Sequence, residues 1–166
     1  MTATPGRGFE LTAHSDGSGE ICSAILGKLP QWFGIPTANA DYAAAADRHP
    51  TVVSTINGQP VGVLTTVQHS DAAAEVYVMV VLPEHHRRGV GVAMLTVAEQ
   101  DLVERGITFL QVKTLAATHP DPGYVKTRAF YQANGFETLE VFPDLWDSDC
   151  PALQMVKHIG NDARTH

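Results

Sequence analysis

The sequence predicts an α/β fold, with a central mixed, mostly antiparallel sheet and helices on both faces. Three observations carry that expectation. Strand-like and helix-like segments alternate in the order β-α-α-β-β-β-α-β-α-β-β. Asn57-Gly58 sits between two runs rich in β-branched residues, the signature of a hairpin. A long segment beginning at Val90 repeats its apolar residues at helical spacing. No linker divides the 166 residues, so a single domain over 1–166 is expected. A chain of this size buries roughly 70% of its unfolded surface and needs no disulfide or metal staple.

The first strand is expected over residues 9–12. A helix follows over 18–29, because Ile21, Ile25 and Leu29 share one face, and Pro30 ends it. A loop through Trp32, Phe33 and Gly34 leads to a short helix over 37–47, closed by Pro50. The hairpin pairs 51–56 with 61–67, where Pro60 is tolerated at the head of the return strand. Residues 75–81 form a third long strand, and its continuously apolar end fits a central position with both faces covered.

The helix over 90–105 carries Val90, Ala93, Met94, Val97 and Leu102 as its apolar stripe, with Gly106 as its stop. A strand is expected over 109–114. Asp121 then serves as N-cap, with Pro122 at the first helical position, for a helix reaching about Ala133. The last strands are 136–141 and 153–158, joined by a loop that carries Trp146.

Composition narrows the function. Hydrophobic residues make up 44% and charged ones 17%, which is a folding composition. The formal net charge of -7, with no basic run longer than Arg87-Arg88, argues against nucleic acid as a partner. No apolar stretch approaches the ~20 residues that span a bilayer, so no membrane partner is expected. Residues 1–16 show neither a basic start nor an apolar h-region. Cys22 and Cys150 lie far apart without a CxxC pattern and read as reduced thiols, which gives a cytoplasmic address by default.

The segment from Val81 to Val92 concentrates the chemistry. A strand ends, a tight turn follows, and a helix opens at Gly89 and Gly91. Free N–H groups of a first helical turn, aligned with the helix dipole, make an anion cradle suited to a pyrophosphate. Glycines that merely permit the turn are the plain alternative. Two nucleotide motifs fail: the P-loop tail GKS or GKT is absent, and Met94 stands where a Rossmann fingerprint would need its third glycine.

Val81-x-Pro83 followed by RRGVG and a long helix resembles the acetyl-CoA motif of the GNAT superfamily of N-acetyltransferases, [QR]-x-x-G-x-[GA]. His86 departs from it, standing where Gln or Arg is commoner. A second segment, from Thr127 to Phe136, resembles the family's A-x-x-x-Y-x-x-x-G-F, with Tyr131 at the place of its general acid. Thr127 replaces the usual Ala, and Tyr124 replaces an Asn often found seven residues before the tyrosine. The resemblance covers about residues 51–158. WFGI, QVKTL, TRAFY and LQMVK are similar to segments of a bacterial GNAT subgroup, although Cys150-Pro151-Ala152 stands where that subgroup has Asn-Pro-Cys.

The resemblance implies a GNAT-like fold whose fourth and fifth strands splay to admit acetyl-CoA as co-substrate. The amides of Arg87, Arg88, Gly89, Val90, Gly91 and Val92 would hold the pyrophosphate, and Tyr124 would join the cofactor contacts. The main chain of Met79, Val80 and Val81 would pair with the pantetheine arm and polarise the thioester carbonyl. Tyr131 would protonate the departing sulfur, against the alternative of a tyrosine packed on the sheet. Glu75 lies eleven residues before His86, an offset similar to that of the catalytic glutamate in histone acetyltransferases. It is the candidate water-mediated base, against a solvated glutamate or a structural partner of a Lys.

His69, His85, His86 and His119 are further bases to weigh, and His119 precedes the Tyr131 helix. Trp32, His119 and Trp146 are the candidate acceptor-site residues, with anchoring of their loops as the alternative for the tryptophans. Lys113, Lys126 and Arg128 read as surface charge rather than phosphate ligands. No metal-ligand spacing appears, so no metal is expected. The expected activity is direct acetyl transfer to a primary amine of a small molecule or peptide. A non-catalytic acyl-CoA sensor and a protein N-terminal or lysine acetyltransferase stay open, and a homodimer is compatible on general grounds.

Overall fold

A computed structural model describes residues 8–14 and 17–160. The reading of residues 1–16 as leaderless falls largely outside the described residues. In chain order the elements are β1 (Glu10–His14), α1 (Gly19–Gly27), α2 (Pro36–Arg48), β2 (Thr51–Ile56), β3 (Gln59–Gln68), β4 (Ala73–Val81), α3 (Val90–Glu104), β5 (Phe109–Leu115), α4 (Pro122–Ala133), β6 (Glu137–Asp147) and β7 (Cys150–His158). The seven strands form one sheet in the order β1-β2-β3-β4-β5-β7-β6. Pairing is antiparallel for β1 with β2, β2 with β3, β5 with β7 and β6 with β7. The predicted α/β class with a helix-flanked sheet is the one observed. The chain divides into two compact units: residues up to 67 with 76–102, and residues 68–75 with those from 103 onward.

In the first unit, Asn57 (φ 50°) and Gly58 (φ 77°) both adopt left-handed backbone, which makes the two-residue loop of the β2–β3 hairpin. The register sets Thr51 opposite Thr65, and their buried hydroxyls meet at 2.9 Å. At Gly62 on β3, an added Cβ would lie 2.5 Å from Ser54 Oγ and 3.1 Å from both Met94 Cε and the Val80 carbonyl. Glycine there lets α3 approach the strands closely.

One apolar core joins Cys22, Ile25, Leu26 and Leu29 to Val53, Val61, Val63, Val78, Val80 and Leu82. Burial of each large aliphatic side chain contributes about 1.5–3 kcal/mol. Helix α1 has no side-chain cap from Ser18. Asp47, near the end of α2, accepts the Gly19 N–H through Oδ1 at 2.7 Å, and the carbonyls of Ala46 and Asp47 accept from Ser18 and Gly17. The α1 helix stops at Gly27, short of the predicted 29, because Lys28 and Leu29 tighten into bonds to Ile25 and Leu26.

In the second unit, β7 lies between β5 and β6. Strand β6 runs to Asp147, so Trp146 stands on an edge strand and not on the predicted loop. The edge position explains the misreading. Pro143 owes no ladder N–H there, and register shifts at Thr138/Glu140 and Phe142/Asp147 break the alternation that would reveal a strand. Helix α4 begins as predicted: Asp121 accepts the Gly123 N–H at 2.8 Å, with Pro122 in the first turn. The helix packs against β5 and buries Tyr131. Gly135, at φ 90°, turns the chain into β6.

Candidate functional site

The turn after β4 belongs wholly to the first unit. Leu82 donates its N–H to Val61 at 2.8 Å, which anchors the strand exit to β3. Residues Pro83–His85 form one 3-10 turn, closed by His85 N–H to Leu82 and His86 N–H to Pro83. Arg87 then takes φ 61° and Gly89 φ 79°. Left-handed residues in such a turn aim backbone N–H groups into a common concavity, an anion nest. Helix α3 starts at Val90, and its first internal bond runs from Ala93 N–H to Gly89. The earlier amides, Val90, Gly91 and Val92, have no acceptor within the helix, and the helix dipole adds partial positive charge.

The side chains of Arg87 and Arg88 are exposed. An added Cβ at Gly89 would meet nothing within 4 Å, so its left-handed backbone, not crowding, is what favours glycine. Val80 is buried, while Met79 and Val81 are half-buried. The Val81 carbonyl accepts a hydrogen bond from His86 Nε2 at 2.7 Å.

The candidate proton-transfer residues lie in the second unit. Tyr131 is buried, its ring edge-on to Phe130 (5.3 Å) and Phe136 (5.2 Å). Burial pushes its phenol well above the ordinary tyrosine range, which makes it a weaker acid than a free tyrosine. Glu75 is also buried, and its Oε2 accepts from Lys113 Nζ at 2.8 Å and lies 3.3 Å from His69 Nε2. The Lys partnership weighed for Glu75 is therefore present.

His119 accepts the Asp121 N–H through Nδ1 at 3.2 Å, which leaves its proton on Nε2 in the neutral ring. Its ring stands edge-on to Tyr124 at 6.0 Å. Tyr124 is pushed upward in pKa by burial first, then by the charges of Asp121 and Cys150. Arg128 donates to the Leu115 carbonyl at 2.8 Å, so it serves the end of β5. Trp32 is exposed in the turn after α1, its N–H bonded to Leu29; Trp146 is exposed on β6.

Three groupings escape sequence reasoning. Phe33, Tyr42 and Tyr77 form an edge-to-face ladder with centroid spacings of 6.2 and 5.5 Å, from the α1–α2 loop through α2 to β4. Lys113 and His69 converge on Glu75. The third is the His86 contact with Val81. Each joins residues whose proximity comes from folding rather than spacing. Only the polar side chains at alternate positions of QVKTL hinted at Lys113.

Among the described residues, no group of three or more His, Cys, Asp or Glu side chains is arranged to hold a metal. No described helix is long and apolar enough to cross a membrane.

A family profile described as an acetyltransferase (GNAT) domain matches residues 47–138. The chain belongs to the GNAT acetyltransferase family. No curated protein matches it. Solved GNAT structures share its fold. A Desulfovibrio desulfuricans protein classed in the GNAT family superposes with a TM-score of 0.76 at 18% identity, covering 91% of this chain and 99% of that one. The ribosomal-protein-S18-alanine N-acetyltransferase of Escherichia coli gives 0.70 at 20%, over 94% and 98%. An aminoglycoside 6'-N-acetyltransferase complexed with coenzyme A gives 0.67 at 18%, over 85% and 90%. The GNAT match includes both the 81–92 turn and the Tyr131 segment, and acetyl-CoA-dependent acetyl transfer is the chemistry of the family.

Proposed function

We propose that the protein transfers an acetyl group from acetyl-CoA to a primary amine in a direct ternary complex. The observation that carries this reading is the turn itself, with Arg87 and Gly89 in left-handed backbone ahead of the free amides of α3. That surface is electropositive without needing Lys or Arg side chains, and it fits a pyrophosphate. The main chain of Met79 to Val81 serves the pantetheine arm, and Tyr124 contributes a half-buried ring to the cofactor contacts.

In the reaction, the neutral amine nitrogen attacks the thioester carbonyl carbon and the C–S bond breaks. Tyr131 gives its phenolic proton to the departing sulfur. Glu75 removes the amine proton through a water, with Lys113 and His69 fixing the carboxylate's orientation. Trp32, His119 and Trp146 are assigned to the acceptor side, and the enzyme works in the cytoplasm.

The test is calorimetric titration with acetyl-CoA beside a thiol-release assay over a panel of primary amines. Micromolar binding with thiol release on one amine class is the expected result. Binding without release on any amine would make the protein an acyl-CoA sensor. No binding would reduce the turn to a structural role and remove the reading.

A further inference from the structure

The loop from Val81 to Gly89 contains one side-chain bond that the GNAT motif does not prescribe. His86 Nε2 lies 2.7 Å from the carbonyl oxygen of Val81, the last residue of β4. A carbonyl only accepts, so Nε2 carries the proton whether the ring is neutral or charged. The bond reaches back across the 3-10 turn Pro83–His85 and ties the residue before Arg87 to the strand end.

The next residue is the costly one. Arg87 holds φ 61°, a left-handed conformation that costs a non-glycine residue roughly 1–2 kcal/mol. Backbone bonds from His85 to Leu82 and His86 to Pro83 close the turn, yet they stop short of Arg87. His86 itself is exposed, so its ring is not held by packing.

We propose that His86 is a positioning residue for the cofactor: its imidazole braces the turn so that the amides from Arg87 to Val92 are preset for the pyrophosphate. This rests on the cofactor reading above. It also explains how the motif works with His at a place where Gln or Arg is commoner. A side-chain N–H donor at that reach is what the position needs, and the imidazole supplies one. The benefit is preorganisation, which acts on binding rather than on the chemical step.

The experiment compares His86→Ala and His86→Gln with the parent protein. His86→Ala is expected to weaken acetyl-CoA binding by about three- to tenfold, the worth of one hydrogen bond, with kcat at saturating acetyl-CoA unchanged. His86→Gln, which restores an N–H donor, is expected to recover affinity to within about twofold of the parent. Amide hydrogen exchange in the cofactor-free protein supplies an independent readout: residues 87–92 should exchange faster in His86→Ala and return to parental rates in His86→Gln.

Equal affinity in His86→Ala and the parent would overturn the proposal. So would a His86→Gln variant as weak as His86→Ala, or a loss that falls on kcat. Failure of the parent protein itself to bind acetyl-CoA would remove the cofactor reading, and the affinity claim with it. The exchange measurement would still report whether the brace exists.

Discussion

Lys113 holds its ammonium 2.8 Å from Oε2 of Glu75, and the two residues belong to adjacent strands of the sheet. Both are largely shielded, with side-chain exposures of 26% and 11%. Removing Glu75 strands Lys113, whereas removing Lys113 leaves Glu75 with His69 alone, so a cycle is needed to isolate the pair. A double-mutant cycle with Glu75→Gln and Lys113→Met, followed by urea unfolding, should give a coupling of about 1–3 kcal/mol. The same Glu75→Gln protein separates structure from catalysis. As a base, Glu75 should take at least about tenfold of turnover with it at saturating acetyl-CoA. A loss of stability with turnover intact would assign Glu75 to the fold alone.

Tyr131 gives a sharper split. Tyr131→Phe keeps the ring that packs between Phe130 and Phe136 and deletes only the hydroxyl. Turnover is expected to fall by about 10²-fold, with acetyl-CoA affinity within twofold of the parent by calorimetry. Unchanged turnover would leave Tyr131 as a packing residue.

The turn allows two substitutions with opposite effects on stability. Arg87→Gly relieves a left-handed conformation and should stabilise the protein by about 0.5–1 kcal/mol, while weakening acetyl-CoA binding through loss of charge. Gly89→Ala meets no neighbouring atom, so its cost is backbone strain alone, about 1–2 kcal/mol, together with weaker binding. Thermal unfolding with and without acetyl-CoA reads both effects. A destabilised Arg87→Gly protein would refute the strain argument.

Cys22 ties stability to alkaline pH. Burial first, and then the nearby Asp47 carboxylate, push its thiol from 9.0 up to about 11. Because the folded value is the raised one, the contribution is complete below about pH 9 and is lost as pH climbs through about 11. That rise corresponds to something on the order of 2–3 kcal/mol. Urea midpoints measured between pH 8 and 11 should fall less steeply in Cys22→Ala than in the parent. Parallel slopes would show that Cys22 does not carry the effect.

Much of the fold was legible because its signals are local. Asn57-Gly58 specifies a hairpin by backbone sterics, Asp121-Pro122 specifies a helix start by capping, and the α3 stripe specifies a buried face. The predicted stripe still needed one adjustment, since Leu95 and Ala98 are buried while Val97 is half-buried. Strand β6 is shorter in the sequence reading because an edge strand exposed along nearly its whole length, with two register shifts, has no clean period to read. At the candidate site the turn was legible from glycines and its helix. The partners of Glu75, His86 and His119 were not, because each bond joins groups through a fold that spacing alone does not encode.

The outer strand also sets how the protein behaves as a colloid. Along β6, exposed Leu139, Val141, Leu145 and Trp146 alternate with the exposed acids Glu137, Glu140, Asp144 and Asp147. No Lys or Arg intervenes between residues 129 and 156. An open strand edge this apolar invites lateral stacking of molecules, and its carboxylates act as gatekeepers against that. Their repulsion reaches about 10 Å at 0.1 M salt and shrinks to about 3 Å in molar salt. Shelf life, like precipitation from salt, should therefore be governed at this rim, far more by ionic strength than by the firmness of the interior.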